Sequence, residues 1–254
     1  MAHQSASGLY EVPPPTISRD QGKFRITVNH PGTALPDHDD HGYGPLAAVV
    51  ESFMDPDTLI SMHQHRNEEI ISWVPAGVMR HDDGEGNELV TDAEHVMVMG
   101  AGSGFWHEER TLPDDPPLRM LQIFVRPHSL DLPPGIQHEP VPDPVAGEWR
   151  HVFGPASDDG AHDAPLTVRN DAHLYDVRLG AGDTVDFPAR DGWDTYFYVF
   201  DGSVEVDGTS FGKADSGLLV DDHDATVAAS EDTTMVAFLL NPDAAVTRQG
   251  TIGR

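Results

Sequence analysis

Short apolar runs separated by turn-rich stretches are the feature that most constrains this chain. Between Phe24 and about Pro127, runs such as LAAVV, IISWV, VMVM and MLQIFV alternate with stretches that include HDDGEGNE and PDDPP. Apolar runs of this length, bounded by Gly, Pro, Asn and Asp, are typical of antiparallel sheets. No heptad or sustained 3.6-residue stripe occurs, which argues against a helical bundle. The pattern predicts a β-rich fold with few, short helices.

The same organisation occurs a second time along the chain. In LYDVRLGAGD, Tyr175, Val177 and Leu179 alternate with Asp176 and Arg178, which predicts one buried and one solvated face. The dipeptide DG in SVEVDGTSF suits a tight hairpin turn, and MVAFLL predicts a short buried strand. The second half therefore repeats the architecture of the first.

A length of 254 residues suits two domains, because one core covers roughly 100–200 residues. We expect an extended, weakly packed lead-in at residues 1–23 and a first domain at 24–127. Residues 128–147 are too rich in Pro to continue a sheet, which predicts a connection. A second domain at 148–242 and a tail at 243–254 follow.

The formal net charge of −28 comes from 43 acidic and 15 basic residues. A polyanion would be repelled, so direct binding to nucleic acid or to an anionic membrane is not expected, whereas a protein partner stays open. The acidic excess suits either a high-salt cytoplasm or a high-GC genome. The start, MAHQSASGLYEVPPP, has no basic segment before an apolar run, and no apolar stretch approaches about 20 residues. We therefore expect a cytoplasmic protein.

The absence of cysteine excludes disulfides, thiolate catalysis and Cys-type metal sites, so any metal must bind N and O ligands. His63 and His65 are two residues apart, as are His107 and Glu109. On a helix this spacing places side chains on opposite sides, whereas on a strand both point the same way. If both strands belong to one barrel, the pairs converge as three imidazoles and one carboxylate. Such a set suits a divalent first-row metal with two positions left for dioxygen, water or a chelating substrate.

The segments HQHRNEEIISW and GAGSGFWHEE resemble the two cupin motifs of the pirin family, and DHGYGPL resembles that family's short DHG-aromatic element. The resemblance extends from about Asp37 to Pro242. It implies an all-β bicupin, with two antiparallel, jelly-roll-like β-barrel domains in tandem. In that family the H-x-H and H-x-E pairs bind the metal, which implies His63, His65, His107 and Glu109 here.

Other positions match the family pattern or depart from it. Arg66 matches the basic residue after the second histidine, and Gly102 and Gly104 match the tight turn before the later pair. The departures are not predicted ligands, so they bear on the substrate entrance more than on the metal site. They are Gln64 for Pro, Asn67-Glu68 for Gly-Phe, and Glu94-His95 for Gly-Asp.

Several further polar residues have two interpretations. For His81 and His95 a surface hairpin is favoured over the cavity. Some cupins use a Glu at the position of Glu69 as a ligand, but with Glu109 present we expect Glu69 to support the ligands or the structure. In PDHDDHGYG a solvated acidic loop is favoured over a second ion on His38, His41, Asp39 and Asp40.

The second domain lacks an equivalent ligand set. Trp193, Tyr196 and Tyr198 occupy the stretch of its first motif, and only His223 falls near the second. We therefore expect one divalent transition metal per chain, with Fe(II) favoured and Mn, Co, Ni, Cu or Zn as alternatives.

Some pirins act as flavonol (quercetin) 2,3-dioxygenases, and others are described as transcriptional co-regulators. The resemblance thus implies a metal-dependent dioxygenase acting on a small aromatic chelating substrate, with Glu109 as both ligand and general base. The alternatives are a metal- or redox-responsive regulatory protein and a non-oxidative cupin isomerase or lyase, because one fold supports all three.

Overall fold

Nearly all regular structure in this chain is β-strand. The computed structural model describes residues 8–15, 17–158, 162–221 and 224–253. The strands of the first half, with one strand that precedes them, are β1 (Leu9–Glu11), β2 (Ile17–Asp20), β3 (Phe24–Asn29), β4 (Leu46–Met54), β5 (Thr58–His65), β6 (Glu69–Ala76), β7 (Met79–Asp82), β8 (Glu88–Thr91), β9 (His95–Gly100), β10 (Phe105–Thr111), β11 (Leu118–Val125) and β12 (Gly135–Pro140).

The second half contains ten strands among its described residues. They are β13 (Arg150–Pro155), β14 (Leu166–Val168), β15 (Ala172–Leu179), β16 (Thr184–Asp186), β17 (Asp194–Asp201), β18 (Ser203–Val206), β19 (Thr209–Gly212), β20 (Ser216–Leu219), β21 (Thr226–Ala229) and β22 (Thr233–Leu240). The helical elements in the same residues are two 3-10 turns, Pro31–Ala34 and Ala156–Asp158. No helix in the described chain is long and apolar enough to cross a bilayer.

Each half forms one large and one small sheet. In the first half the orders are β12-β9-β6-β11-β4-β3-β2 and β5-β10-β7-β8. In the second half they are β1-β20-β17-β22-β15-β13-β14 and β16-β21-β18-β19. Pairing is antiparallel except between β13 and β14. Two tandem antiparallel β domains were predicted, and the structure confirms them.

The central strands of the two large sheets are buried on both faces. On β6, Ile71 and Trp73 join a core cluster that includes Tyr198 and Phe238 of the second half, whereas Val74 packs inside the first barrel. Burial on both faces explains why these strands read as continuous apolar runs rather than as strict alternations. The cluster also joins the two halves through apolar contact.

Three expectations from the sequence are wrong. The lead-in is not weakly packed throughout, since Leu9 is 1% exposed and β1 pairs with β20. The Pro-rich connection does continue a sheet, because β12 pairs with β9 as an edge strand, where Pro is tolerated. Asp176 is not solvated but 0% exposed. It accepts hydrogen bonds from Trp73 Nε1 at 2.8 Å and from Arg150 Nε at 2.8 Å, so the predicted wet face contacts the other half.

Candidate metal centre

The two histidine-containing pairs lie on neighbouring strands. Strands β5 and β10 pair so that His107 stands opposite His63 and Phe105 opposite His65. The three imidazole centroids are 4.4–5.2 Å apart. One ring nitrogen from each histidine lies within 4.8 Å of the other two, and no second group of this kind occurs among the described residues. The strand geometry inferred from the spacing therefore brings His63, His65 and His107 together.

The Nδ1 atoms of His63 and His65 lie within hydrogen-bond distance of nearby acceptors. His63 Nδ1 lies 3.0 Å from the Ser61 carbonyl oxygen, and His65 Nδ1 lies 2.5 Å from Glu68 Oε1. Since both acceptors require a proton on Nδ1, the Nε2 lone pairs of both rings stay available. This tautomer is the one in which imidazole binds a metal through Nε2.

The third histidine, His107, contacts His81, which was expected in a surface hairpin. His107 Nδ1 lies 3.3 Å from His81 Nδ1, and one of the two donates to the other. His107 Nε2 is buried and makes no hydrogen bond to any described residue. Such an atom is costly unless a ligand satisfies it, so the site fits a bound ion.

His81 is 2% exposed, so the surface-hairpin interpretation of this residue is wrong. It lies on β7 opposite Glu109 of β10, which turns it toward the ligand strands. In the sequence MRHD, Met79 and His81 share one strand face, and this alternation was the available signal.

Burial favours the neutral form of two of the three histidines. It lowers the pKa of His63, and it lowers the pKa of His107 to about 2, with further lowering by the neighbouring histidines. Both rings are therefore neutral at pH 7, which is the state that binds a cation.

Glu109 faces the same cavity but lies outside the converging group. A β-bulge separates it from His107, and Gln122 Nε2 donates to both carboxylate oxygens at 2.8 Å. Burial raises the pKa of Glu109 to about 7, against the opposing effects of His65 and Gln122. A nearby cation would favour the ionised form.

The cluster opens into a cavity of about 420 Å³. Its walls are mostly apolar and include Ile26, Val50, Ile70 and Phe124, while Glu109 contributes a polar patch beside the histidines. The site is therefore a mostly apolar pocket whose lining also includes the polar residues Arg19, His30 and Gln122.

Other residues singled out in the first half have structural partners. Glu69 accepts hydrogen bonds from the backbone N–H and, at 2.6 Å, the Nε of Arg169, so it joins the two halves. His95 is partly exposed and lies 3.0 Å from Asp92 Oδ1, as the surface interpretation requires.

Gly102 has φ +46°, and a Cβ there would lie 2.0 Å from the Leu132 carbonyl oxygen. Glycine is therefore required in the turn before His107.

The PDHDDHGYG segment is only partly the solvated loop that was expected. His38 and Asp39 are exposed. Asp40, however, accepts two hydrogen bonds of 2.7 Å from Arg126, whose side chain is 0% exposed. His41 Nδ1 lies 4.0 Å from Asp40 Oδ1. Asp40 thus neutralises a buried cation.

The second half contains a histidine cluster that the sequence analysis missed. His151, His162 and His173 have ring centroids 5.1–5.9 Å apart, and His151 Nε2 lies 3.0 Å from His173 Nδ1. Their nitrogens do not converge as those of the first half do. His223 lies outside the described residues.

Comparisons with known proteins agree with this architecture. The family model described as pirin matches residues 39–125, and the quercetinase C-terminal cupin domain matches residues 156–240. A pirin-like protein of Caulobacter vibrioides is 31% identical over 218 residues, covering 85% of this chain and 92% of that protein. A quercetin 2,3-dioxygenase of Escherichia coli is 24% identical, covering 79% and 84%.

Solved structures show the same fold. YhhW from Escherichia coli has a TM-score of 0.78 at 20% identity, covering 91% of this chain and 97% of that chain. The same bacterial pirin, solved in complex with nickel(II), gives 0.77 at 20% identity, covering 91% and 98%. With two tandem cupin domains and a pirin-like relative matched over most of its length, this chain belongs to the pirin family.

Proposed function

We propose that this pirin binds one divalent transition metal through His63, His65, His107 and Glu109, and oxidises a flavonol-like chelating substrate with dioxygen. The observation that carries the proposal is the converging imidazole group, whose Nδ1 atoms are all engaged and whose His107 Nε2 is buried without a hydrogen bond. Relatives named quercetin 2,3-dioxygenase support the substrate class.

Each part of the site has a role in this reaction. A bound divalent ion supplies Lewis acidity toward a hydroxyl–ketone substrate and redox chemistry toward dioxygen. Beside a bound cation the Glu109 carboxylate stays ionised, so that it accepts the hydroxyl proton, and Gln122 holds that carboxylate in place. The apolar walls formed by Ile70, Phe124 and their neighbours hold a flat aromatic molecule and exclude water.

The metal identity follows from supply as much as from the ligands. We favour Fe(II), and the nickel complex of the related YhhW makes Ni(II) the first alternative to test. Metal analysis of protein purified from its native host identifies the ion.

The test is oxygen uptake together with loss of the flavonol absorption band, for protein loaded in turn with Fe, Mn, Co, Ni and Cu. The substrate carries a 3-hydroxyl beside a 4-ketone. We expect turnover only in loaded protein, and we expect Glu109→Gln to lower turnover about 10²-fold or more while flavonol binding changes little. Glu108→Gln is the matched control, because Glu108 lies one residue away, beside Arg110 rather than in the cavity.

No uptake with any of the five metals would refute the dioxygenase proposal in favour of a regulatory or non-oxidative function. Equal rates in metal-free protein would also refute it, because the chemistry would then lie outside the site.

A further inference from the structure

Glu68 stands where the pirin pattern has Phe, and it touches one of the proposed ligands. Its Oε1 lies 2.5 Å from His65 Nδ1, and the residue is 0% exposed. A buried carboxylate is stable only when donors surround it. The position and tautomer of His65 therefore depend on what holds Glu68.

The remaining donors come from residues near the carboxyl end of the sequence. Glu68 Oε2 accepts hydrogen bonds from the backbone N–H of Ile252 at 2.9 Å and of Gly253 at 2.8 Å. Gly250 approaches so closely that a Cβ on it would lie 2.8 Å from the same oxygen. In the described chain no Lys or Arg pairs with Glu68, so these two amides are its main partners besides His65.

The same segment also pairs with the residue that follows His65. Thr251 N donates to the Arg66 carbonyl oxygen at 3.3 Å, and Arg66 N donates to Thr251 Oγ1 at 2.9 Å. Thr251 and Ile252 also line the metal cavity. Residues 250–253 thus connect the cavity wall, the backbone beside His65 and the carboxylate that orients it.

We propose that residues 250–253 are a positioning element of the metal site, acting through Glu68 on His65. This inference rests on the proposed metal site but on neither flavonol nor dioxygen. With the segment docked, Glu68 keeps the proton of His65 on Nδ1 and its Nε2 free. With the segment undocked, Glu68 lacks two donors and turns toward water, away from His65. Segment docking and metal binding must then strengthen each other by the same factor.

The test is the affinity for Co(II), measured by competition with a chromophoric chelator. The variants are a chain ending at Gln249, Glu68→Ala, and both changes together. Loss of a partner that orients a ligand weakens metal binding roughly 10–100-fold. We expect each single variant to lose at least about 10-fold in Co(II) affinity. The combined variant should lose no more than the single variant with the larger loss, because both changes break one linkage.

Two further variants complete the design. Gly250→Ala keeps the full chain while crowding Glu68 Oε2, and it should weaken Co(II) binding even if the shortened chain folds poorly. Glu108→Ala is the matched control, since Glu108 lies beside ligand His107 but pairs outward with Arg110. Its Co(II) affinity should equal that of the wild type.

A reciprocal measurement separates positioning from general structural support. Hydrogen exchange at the Ile252 and Gly253 amides should slow on Co(II) binding by about the factor that the shortened chain loses in affinity. The proposal is overturned if the shortened chain binds Co(II) as tightly as wild type, or if the losses in the combined variant multiply. It is also overturned if hydrogen exchange at the two amides does not change on Co(II) binding. Because Co(II) titration needs no substrate, these failures are distinguishable from failure of the dioxygenase test.

Discussion

The buried pair between Asp40 and Arg126 allows a quantitative prediction about stability. Arg126 is 0% exposed, and both of its Nη groups donate to Asp40 at 2.7 Å. Arg25 and Asp55 form the same two-bond geometry at 3.0 Å, but their side chains are 38% and 42% exposed. The two pairs therefore differ in burial. Asp40 also has two further donors, since Arg248 Nε lies 2.9 Å from its Oδ2 and Gly42 N donates to its Oδ1 at 3.0 Å.

Replacing Asp40 by Asn keeps the shape and one acceptor but removes the charge that compensates Arg126. Breaking a buried ion pair from one side costs about 3–5 kcal/mol, and the retained acceptor favours the lower end, about 3 kcal/mol. In a chain of this size that loss lowers the melting temperature by roughly 6–12 °C. The same change at Asp55 should be too small to resolve, because water and salt screen an exposed pair.

Thermal and urea unfolding of wild type, Asp40→Asn and Asp55→Asn at one fixed salt concentration measure the difference. The reasoning about burial is refuted if Asp40→Asn melts within about 2 °C of wild type. It is also refuted if Asp55→Asn loses as much stability as Asp40→Asn, since exposure would then not decide the cost.

Three further predictions concern acid, salt and metal. Although burial alone raises the pKa of Asp40, hydrogen bonds from Arg126 and the backbone of Gly42 bring it below its ordinary value. The stabilisation that ionised Asp40 provides is thus complete above about pH 4 and declines below it. The difference in unfolding free energy between wild type and Asp40→Asn should therefore narrow in acid. A constant difference from about pH 6 to about pH 3 would contradict this. If the acidic excess is an adaptation, molar NaCl should raise the melting temperature by screening carboxylate repulsion, whereas a flat response favours genomic bias. Elemental analysis should find one tightly held ion per chain. His63→Ala or His107→Ala should abolish metal binding and leave the circular dichroism spectrum unchanged, because the barrel cores supply most of the stability. Two ions per chain, or unfolding on chelation, would count against this.

Local sequence patterns were enough to predict the fold class and to expect the histidines to converge. Side chains at i and i+2 share a face only on a strand, so His63-x-His65 and His107-x-Glu109 required strands if they were to act together. The turn-rich sequence between them predicted the β7–β8 hairpin, and strand pairing places His107 opposite His63. These inferences use local periodicity, which a sequence displays directly.

The donors that hold the buried carboxylates become visible only in the long-range packing of the chain. Glu68 and Ile252 are 184 residues apart in sequence, and Asp40 and Arg126 are 86 residues apart. Asp40 was expected in a solvated loop, and Glu68 was expected to affect the substrate entrance more than the metal site. Neither expectation holds, because the burial of a carboxylate and the identity of its donors depend on which distant segment folds over it. That choice is made by packing of the whole chain, whereas the spacing of neighbouring residues records only the local geometry.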